Sequence, residues 1–301
     1  MNGQTAVSAE LRQVLRDLKL SGVLDTLPER VELARQAHLP YPEFLTVILA
    51  DEVARRERVS TTVRARTARL DATMTLEGWD DSTEAVFDRD LWAELCTLRF
   101  VEARRDLIVM GPVGVGKTFM ASALGHIACR RRFTTLAGRC DQILKRLRGS
   151  RLDGNHDLEL RKLIRVEVLI LDDFCLQALD AADTADIYEL IVERHRRATT
   201  IVTTNREPPG EWLAAMGDPL LAEAAIDRLT SNAYQLVVDG PSYRQRQRPG
   251  RAGHTGPAQQ AGPQPVSRAP GTTTAGVKAK PSGRPPAGLD PGSTRQKRTT
   301  S

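Results

Sequence analysis

Gly111-Pro112-Val113-Gly114-Val115-Gly116-Lys117-Thr118 meets every fixed position of the phosphate-cradling pattern G-x-x-x-x-G-K-[ST]. Leu107-Ile108-Val109-Met110 ahead of it is a short apolar run of strand type, and residues 119–129 behind it read as a helix. Strand, glycine-rich turn and helix are the context in which the pattern carries meaning. Without a Cβ at Gly111, Gly114 and Gly116, the backbone can wrap closely round an anion, with N–H groups and a helix N-terminus aimed at the phosphates. Lys117 is placed to reach the β and γ phosphates, and the Thr118 hydroxyl to hold Mg²⁺. A glycine-rich loop with a solvated lysine is the rival account, and it fits the flanks less well. The stretch implies a nucleoside triphosphate.

Downstream of the loop, apolar runs and amphipathic segments alternate. Residues 133–136 form a candidate short strand, 141–148 a short basic helix, 149–154 a loop and 158–164 a helix. Residues 166–171 form a buried strand ending in Asp172-Asp173, and a helix over 183–196 leads to a strand at 199–204 ending in Asn205. Residues 211–216 and 219–229 are helical, the second carrying Arg228, and 234–238 form a last strand. Upstream, Asp90 is a candidate cap for one helix over residues 91–102, preceded by a connection over 74–87 with no clear period. The alternation predicts an α/β domain with a parallel sheet and helices on both faces over residues 76–248. Helical patterns over residues 8–20, 23–38 and from 43 onward predict a small all-helical N-terminal domain over residues 1–75.

Hydrolysis of a triphosphate needs a phosphate cradle, a metal, a positioned water and a counter-charge for the transition state. Asp172, at the C-terminal end of an apolar strand, is placed to share Mg²⁺ with Thr118. The 55-residue interval from Lys117 to Asp172 leaves room for an additional strand between the two. Asp173 can act on the attacking water as base or orienter, or serve as a second acid near the metal. Asn205 can hydrogen-bond that water or the γ-phosphate, or cap the following turn. Arg228 can supply the counter-charge from a neighbouring subunit, or pair locally with Asp227 or Glu223.

The net charge is +5 over 301 residues, but residues 249–301 carry eight Lys/Arg and one acid, so the remaining residues sum to −2. Binding of nucleic acid by the folded part must therefore rest on local patches. Arg55, Arg56, Arg58, Arg64, Arg66 and Arg69 crowd one helical stretch and read equally as a phosphate-contacting arm or as a solvated helix face. The glycine- and proline-rich segment 249–301 contains no aromatic residue and is expected to be disordered. Cys96, Cys129, Cys140 and Cys175 show no metal-ligand spacing and are expected to be free thiols. No apolar run is long enough to cross a bilayer, and a cytoplasmic location is expected.

The chain resembles the IstB family, ATP-binding helper proteins of bacterial insertion sequences. The likeness rests on Leu98-Arg99-Phe100-Val101-Glu102, the phosphate loop, Leu169-Ile170-Leu171-Asp172-Asp173-Phe174, and Gly217-Asp218-Pro219 leading to Asp227-Arg228-Leu229. Phe44-Leu45, Asp51-Glu52-Val53-Ala54-Arg55-Arg56 and the closing Gly240-Pro241-Ser242-Tyr243-Arg244 belong to it too. The resemblance implies an AAA+ ATPase related to DnaC-type helicase loaders, using ATP and Mg²⁺. It implies a homo-oligomer that assembles on DNA in an ATP-dependent way and stimulates a partner transposase. It favours Arg228 as the trans-acting finger, moves the Arg55 to Arg69 stretch towards DNA or assembly, and suggests Arg244 as a second sensor. The alternatives are a replicative helicase loader and an inactive insertion-sequence remnant. Three departures from the family pattern stand out: a shorter segment between Arg130 and Phe133, Cys175 in place of glycine after Phe174, and the tail.

Overall fold

A computed structural model describes residues 7–80 and 84–243. The Arg244 sensor and the disorder expected over 249–301 lie outside the described residues.

Five parallel strands form one sheet: β1 (Asp106–Met110), β2 (Thr135–Arg139), β3 (Val168–Asp172), β4 (Thr199–Thr204) and β5 (Ala233–Val237), in the order β2-β3-β4-β1-β5. The central strands are apolar or threonine-rich along their whole length because both faces are covered. Successive side chains point to opposite faces and feed two cores. Ile108, Leu169, Leu171 and Val202 enter one core, and Leu107, Val109, Val168 and Ile170 the other. The first is covered by α7 (Cys140–Leu152), α8 (His156–Arg165), α9 (Ala181–Arg194), α10 (Gly210–Ala215) and α11 (Pro219–Ser231), and the second chiefly by α6 (Lys117–Arg130). With β3 and β4 lying beside β1, the C-terminal ends of three strands sit side by side, where ligands of open α/β sheets bind.

The N-terminal helices α1 (Ala9–Asp17), α2 (Val23–Gln36) and α3 (Tyr41–Thr67) share a small core of Val23, Leu27 and Ile48, flanked by Leu15, Val31 and Phe44. Ser8 caps α1, accepting from the Leu11 amide at 3.1 Å. The far end of α3 runs into the sheet domain. Ala65, Ala68 and Leu70 are buried in the α6-side core, the Ala68 carbonyl accepts from the Ala137 amide at 2.8 Å, and the Arg64 guanidinium donates to the Cys129 carbonyl.

Two expected elements are corrected. Residues 91–102 are not one helix capped by Asp90. Asp88 caps α4 (Arg89–Cys96), accepting from the Leu91 amide at 2.9 Å, and α5 (Arg99–Glu102) follows after Leu98 turns into the left-handed region at φ 55°. The break lets Leu95, Leu98, Phe100 and Val101 all point inward, which a continuous helix of this spacing would not allow. Residues 149–152 are not loop, because α7 continues through Gly149 to Leu152, held by buried Leu147 and Ser150. The turn is made later, by Gly154 at φ 68°.

Strand β2 starts two residues later than expected. The short connection after α6 is closed by Arg132 at φ 67°, and the Thr134 amide and hydroxyl both donate to the Glu167 carboxylate at 2.7 and 2.9 Å. Glu167 is thereby a tether between strands, and the resulting register sets Arg139 opposite Asp172.

Beneath the sheet, Arg194 is almost wholly buried and donates to the carbonyls of Leu163 and Val166 at 2.8 and 2.7 Å. Asp106 lies nearby and accepts from the Thr200 amide at 2.7 Å. Burial pushes the Asp106 carboxyl up to about 7 and brings the Arg194 guanidinium down to about 10.

Candidate nucleotide site

The phosphate loop joins β1 to α6 and lies against β5. A Cβ on Gly111 (φ 148°) would stand 1.8 Å from the Val238 carbonyl oxygen, so only glycine fits. Gly116 (φ 106°) opens α6 directly beneath the Trp79 ring. Lys117 is buried and donates to the carbonyls of Gly111 and Pro112 at 2.8 and 2.7 Å, so its ammonium sits within the loop.

Thr118 follows in the first turn of α6. Its hydroxyl donates to Asp172 Oδ1 at 2.8 Å, and the Thr203 hydroxyl donates to the same oxygen at 2.5 Å. Thr203 also accepts from the Asp173 amide at 3.0 Å, so one β4 hydroxyl fixes both acids at the end of β3. Thr118 Oγ1 and Asp172 Oδ1 are adjacent hard oxygen donors, which fits Mg²⁺, an ion that takes few protein oxygens and keeps several waters. Asp173 has φ 56°, and its carboxylate faces the Arg139 guanidinium at 3.8 Å. Cys175, at φ 53°, occupies a left-handed position that suits the glycine of the family pattern, at a cost of about 1–2 kcal/mol for a residue with a Cβ.

A cavity of about 560 Å³ opens above these groups. Val113, Gly114, Val115, Gly116, Lys117 and Thr118 form its floor, and Asp173 and Asn205 stand at one side. Thr73, Met74, Gly78 and Trp79 form the opposite wall, and Pro241 and Tyr243 close the rim. Trp79 packs edge-on against Phe119 at 5.4 Å and Phe87 at 5.9 Å. The Tyr243 amide donates to the Gly114 carbonyl at 2.9 Å, tying the closing segment to the loop.

The structure therefore brings together the loop, Asp172, Asp173 and Asn205. Arg228 is not among the residues lining the cavity of its own chain. It lies on α11, its guanidinium donating to the Ala224 carbonyl at 2.6 Å, and the local ion pair with Asp227 or Glu223 does not form. Sequence reasoning missed Thr203, Met74, Trp79 and Tyr243. A lone tryptophan in an aperiodic connection beside a phosphate loop was the one signal for the wall, and Tyr243 stood in the closing motif.

Along α3 the six arginines divide. Glu52, only 3% exposed, receives Arg55 and Arg56, each through its Nε at 2.7 Å. The Arg55 hydrogen bond, and then that of Arg56, hold the Glu52 carboxyl down at about 2. Arg64 pairs with Glu57 at 2.5 Å. Arg58, Arg66 and Arg69 are exposed.

Residues 13–250 match the family described as IstB-like ATP binding protein. The chain belongs to that family. It is 38% identical over 241 residues to a Mycobacterium tuberculosis protein described as an ATP-binding protein in an insertion sequence, covering 80% of this chain and 96% of the relative. The IS21 ATP-binding protein of Pseudomonas aeruginosa is 31% identical over 239 residues, covering 79% and 90% of the two chains. Among solved structures the IstB-like chain is similar to the DnaC helicase loader, at 19% identity and a TM-score of 0.46, covering 56% of this chain and 97% of that one. The fold is the P-loop AAA+ type, with a helical region ahead of it. No helix among the described residues is long and apolar enough to cross a membrane.

Proposed function

We propose that this IstB-like protein is a Mg²⁺-dependent ATPase that assembles as a homo-oligomer on DNA, stimulates a partner transposase, and uses hydrolysis to reset the assembly. The observation that carries this reading is the asymmetry of the site. The cradle, the metal-binding pair and two water-handling side chains converge on one cavity, while the arginine expected to complete it faces elsewhere.

Lys117 leaves its carbonyl partners for the β and γ phosphates, and the loop amides take the remaining phosphate oxygens. Thr118 and Asp172 hold Mg²⁺, which when bound neutralises charge on the β and γ oxygens. Asp173 accepts a proton from the attacking water, oriented by the Asn205 amide, as the water oxygen bonds to the γ-phosphorus and the bond to the β–γ bridging oxygen breaks. Trp79, Met74 and Tyr243 give the base an apolar and aromatic wall. Arg228 of a neighbouring copy supplies the charge that stabilises the transition state.

Hydrolysis measured against protein concentration tests the assembly claim. Specific activity is expected to rise with concentration and to rise further with duplex DNA. A specific activity independent of both would remove it.

A further inference from the structure

The acids that neutralise Arg55, Arg56 and Arg64 are buried or local, but the end of α3 is different. Ala68 is hydrogen-bonded through its carbonyl to the Ala137 amide, which pins the chain to the outer edge of β2, the edge strand of the sheet. Arg69 comes next, exposed, at φ 63°, and forms no ion pair. From the other side α7 packs on β2, Ile143 lying against Gly138, and brings up Arg146, half-buried and equally without an ion pair. Burial lowers the Arg146 pKa, and the Arg69 charge lowers it further, so the two guanidinium groups lie within each other's field. Glu159 on α8 is the one acid whose field reaches Arg146, and it pairs with Lys162.

Two like charges held together, one of them half-buried, with no bonded counter-ion, form a receptor for an anion. Guanidinium forks match phosphate oxygens in planar, bidentate geometry. The Ala137 amide on that edge is already bonded, so the edge offers charge rather than strand pairing.

We propose that Arg69 and Arg146 form a two-guanidinium site for a backbone phosphate of duplex DNA running along the outer edge of β2, with exposed Arg66 beside it. The assignment rests on the DNA-binding function proposed above, and it moves the DNA contact from the middle of α3 to its end and to α7. Residues 70 to 74 lead directly from Arg69 to the cavity wall at Thr73 and Met74, so a phosphate held here sits one short segment from the nucleotide.

The test is binding of the full-length chain to a labelled DNA duplex across a salt series, with nucleotide binding measured in parallel. Arg69→Gly suits the left-handed backbone, and Arg146→Gln keeps most of the side-chain volume, so both are expected to retain wild-type nucleotide binding. Each is expected to weaken duplex binding several-fold and to lower the salt slope by about one, and the pair by about two. Arg146→Lys is expected to keep the slope. Wild-type duplex affinity and slope in the double variant would overturn the site and leave the DNA function standing. No duplex binding by the wild-type chain would overturn both. Unchanged duplex binding with weakened self-association would also overturn it, giving the pair to a carboxylate of a neighbouring copy.

Discussion

Charge is treated in opposite ways at the two ends of α6. At its start, strands β1, β3 and β4 deliver Lys117, Thr118, Asp172 and Asp173 to one cavity, and each is oriented by a neighbour while its reactive edge faces open space. Behind its far end, α3 carries more charge, but there Glu52 and Glu57 gather three of the arginines into ion pairs. The contrast teaches that a cluster of charge on a helix is mostly answered by acids three, four or seven residues away on the same helix. A cluster assembled from several strand ends has no such local answer and is left available for a ligand.

The sharpest way to break the contrast is at the loop. Lys117→Ala is expected to abolish measurable nucleotide binding, read by displacement of a fluorescent ATP analogue. Retained binding would mean that the cavity does not work as a phosphate site. Arg228→Ala is expected to bind nucleotide as the wild type does but to hydrolyse about 10³-fold more slowly or worse. On the α3 side, Glu52→Gln is expected to leave nucleotide binding unchanged and to lower stability by about 1–2 kcal/mol, seen as a shifted urea midpoint. The Glu52 carboxyl is held low in the fold, so its contribution is fully present above about pH 4.5 and is lost as pH falls towards 2.

Asp106 gives the smallest effect and the opposite sign. Its folded pKa is raised, so the native state keeps a proton that the unfolded chain releases, and stability falls from about pH 4 to about pH 7 and then levels. Asp106→Asn is expected to flatten that slope in denaturation curves taken across the range. An unchanged slope would mean that Arg194 keeps the carboxylate ionised.

Much of the nucleotide site was legible because its parts are local words: a loop of fixed spacing, and an acid pair at the end of an apolar run. Thr203 was hidden among the β-formers of β4, where a threonine reads as strand propensity and not as the hydroxyl that fixes two carboxylates. Trp79 was hidden because its wall comes from a connection without a period. The helix boundaries at Leu98 and Gly149 misled for a shared reason: burial of neighbouring residues decided where the helix broke, and glycine did not. The six arginines could not be sorted from sequence, since Glu52 and Glu57 show their roles only once burial and side-chain direction are known.

The central claim is that each chain carries half of a working site. Mixing two inactive proteins, Asp173→Asn and Arg228→Ala, tests it directly by steady-state ATP hydrolysis. In a mixed assembly the Arg228→Ala chain offers an intact Asp173 to a neighbour that still has Arg228, so activity is expected to return on mixing although each variant alone is silent. Wild-type hydrolysis by Arg228→Ala alone, or no recovery in assemblies shown to be mixed, would contradict the account.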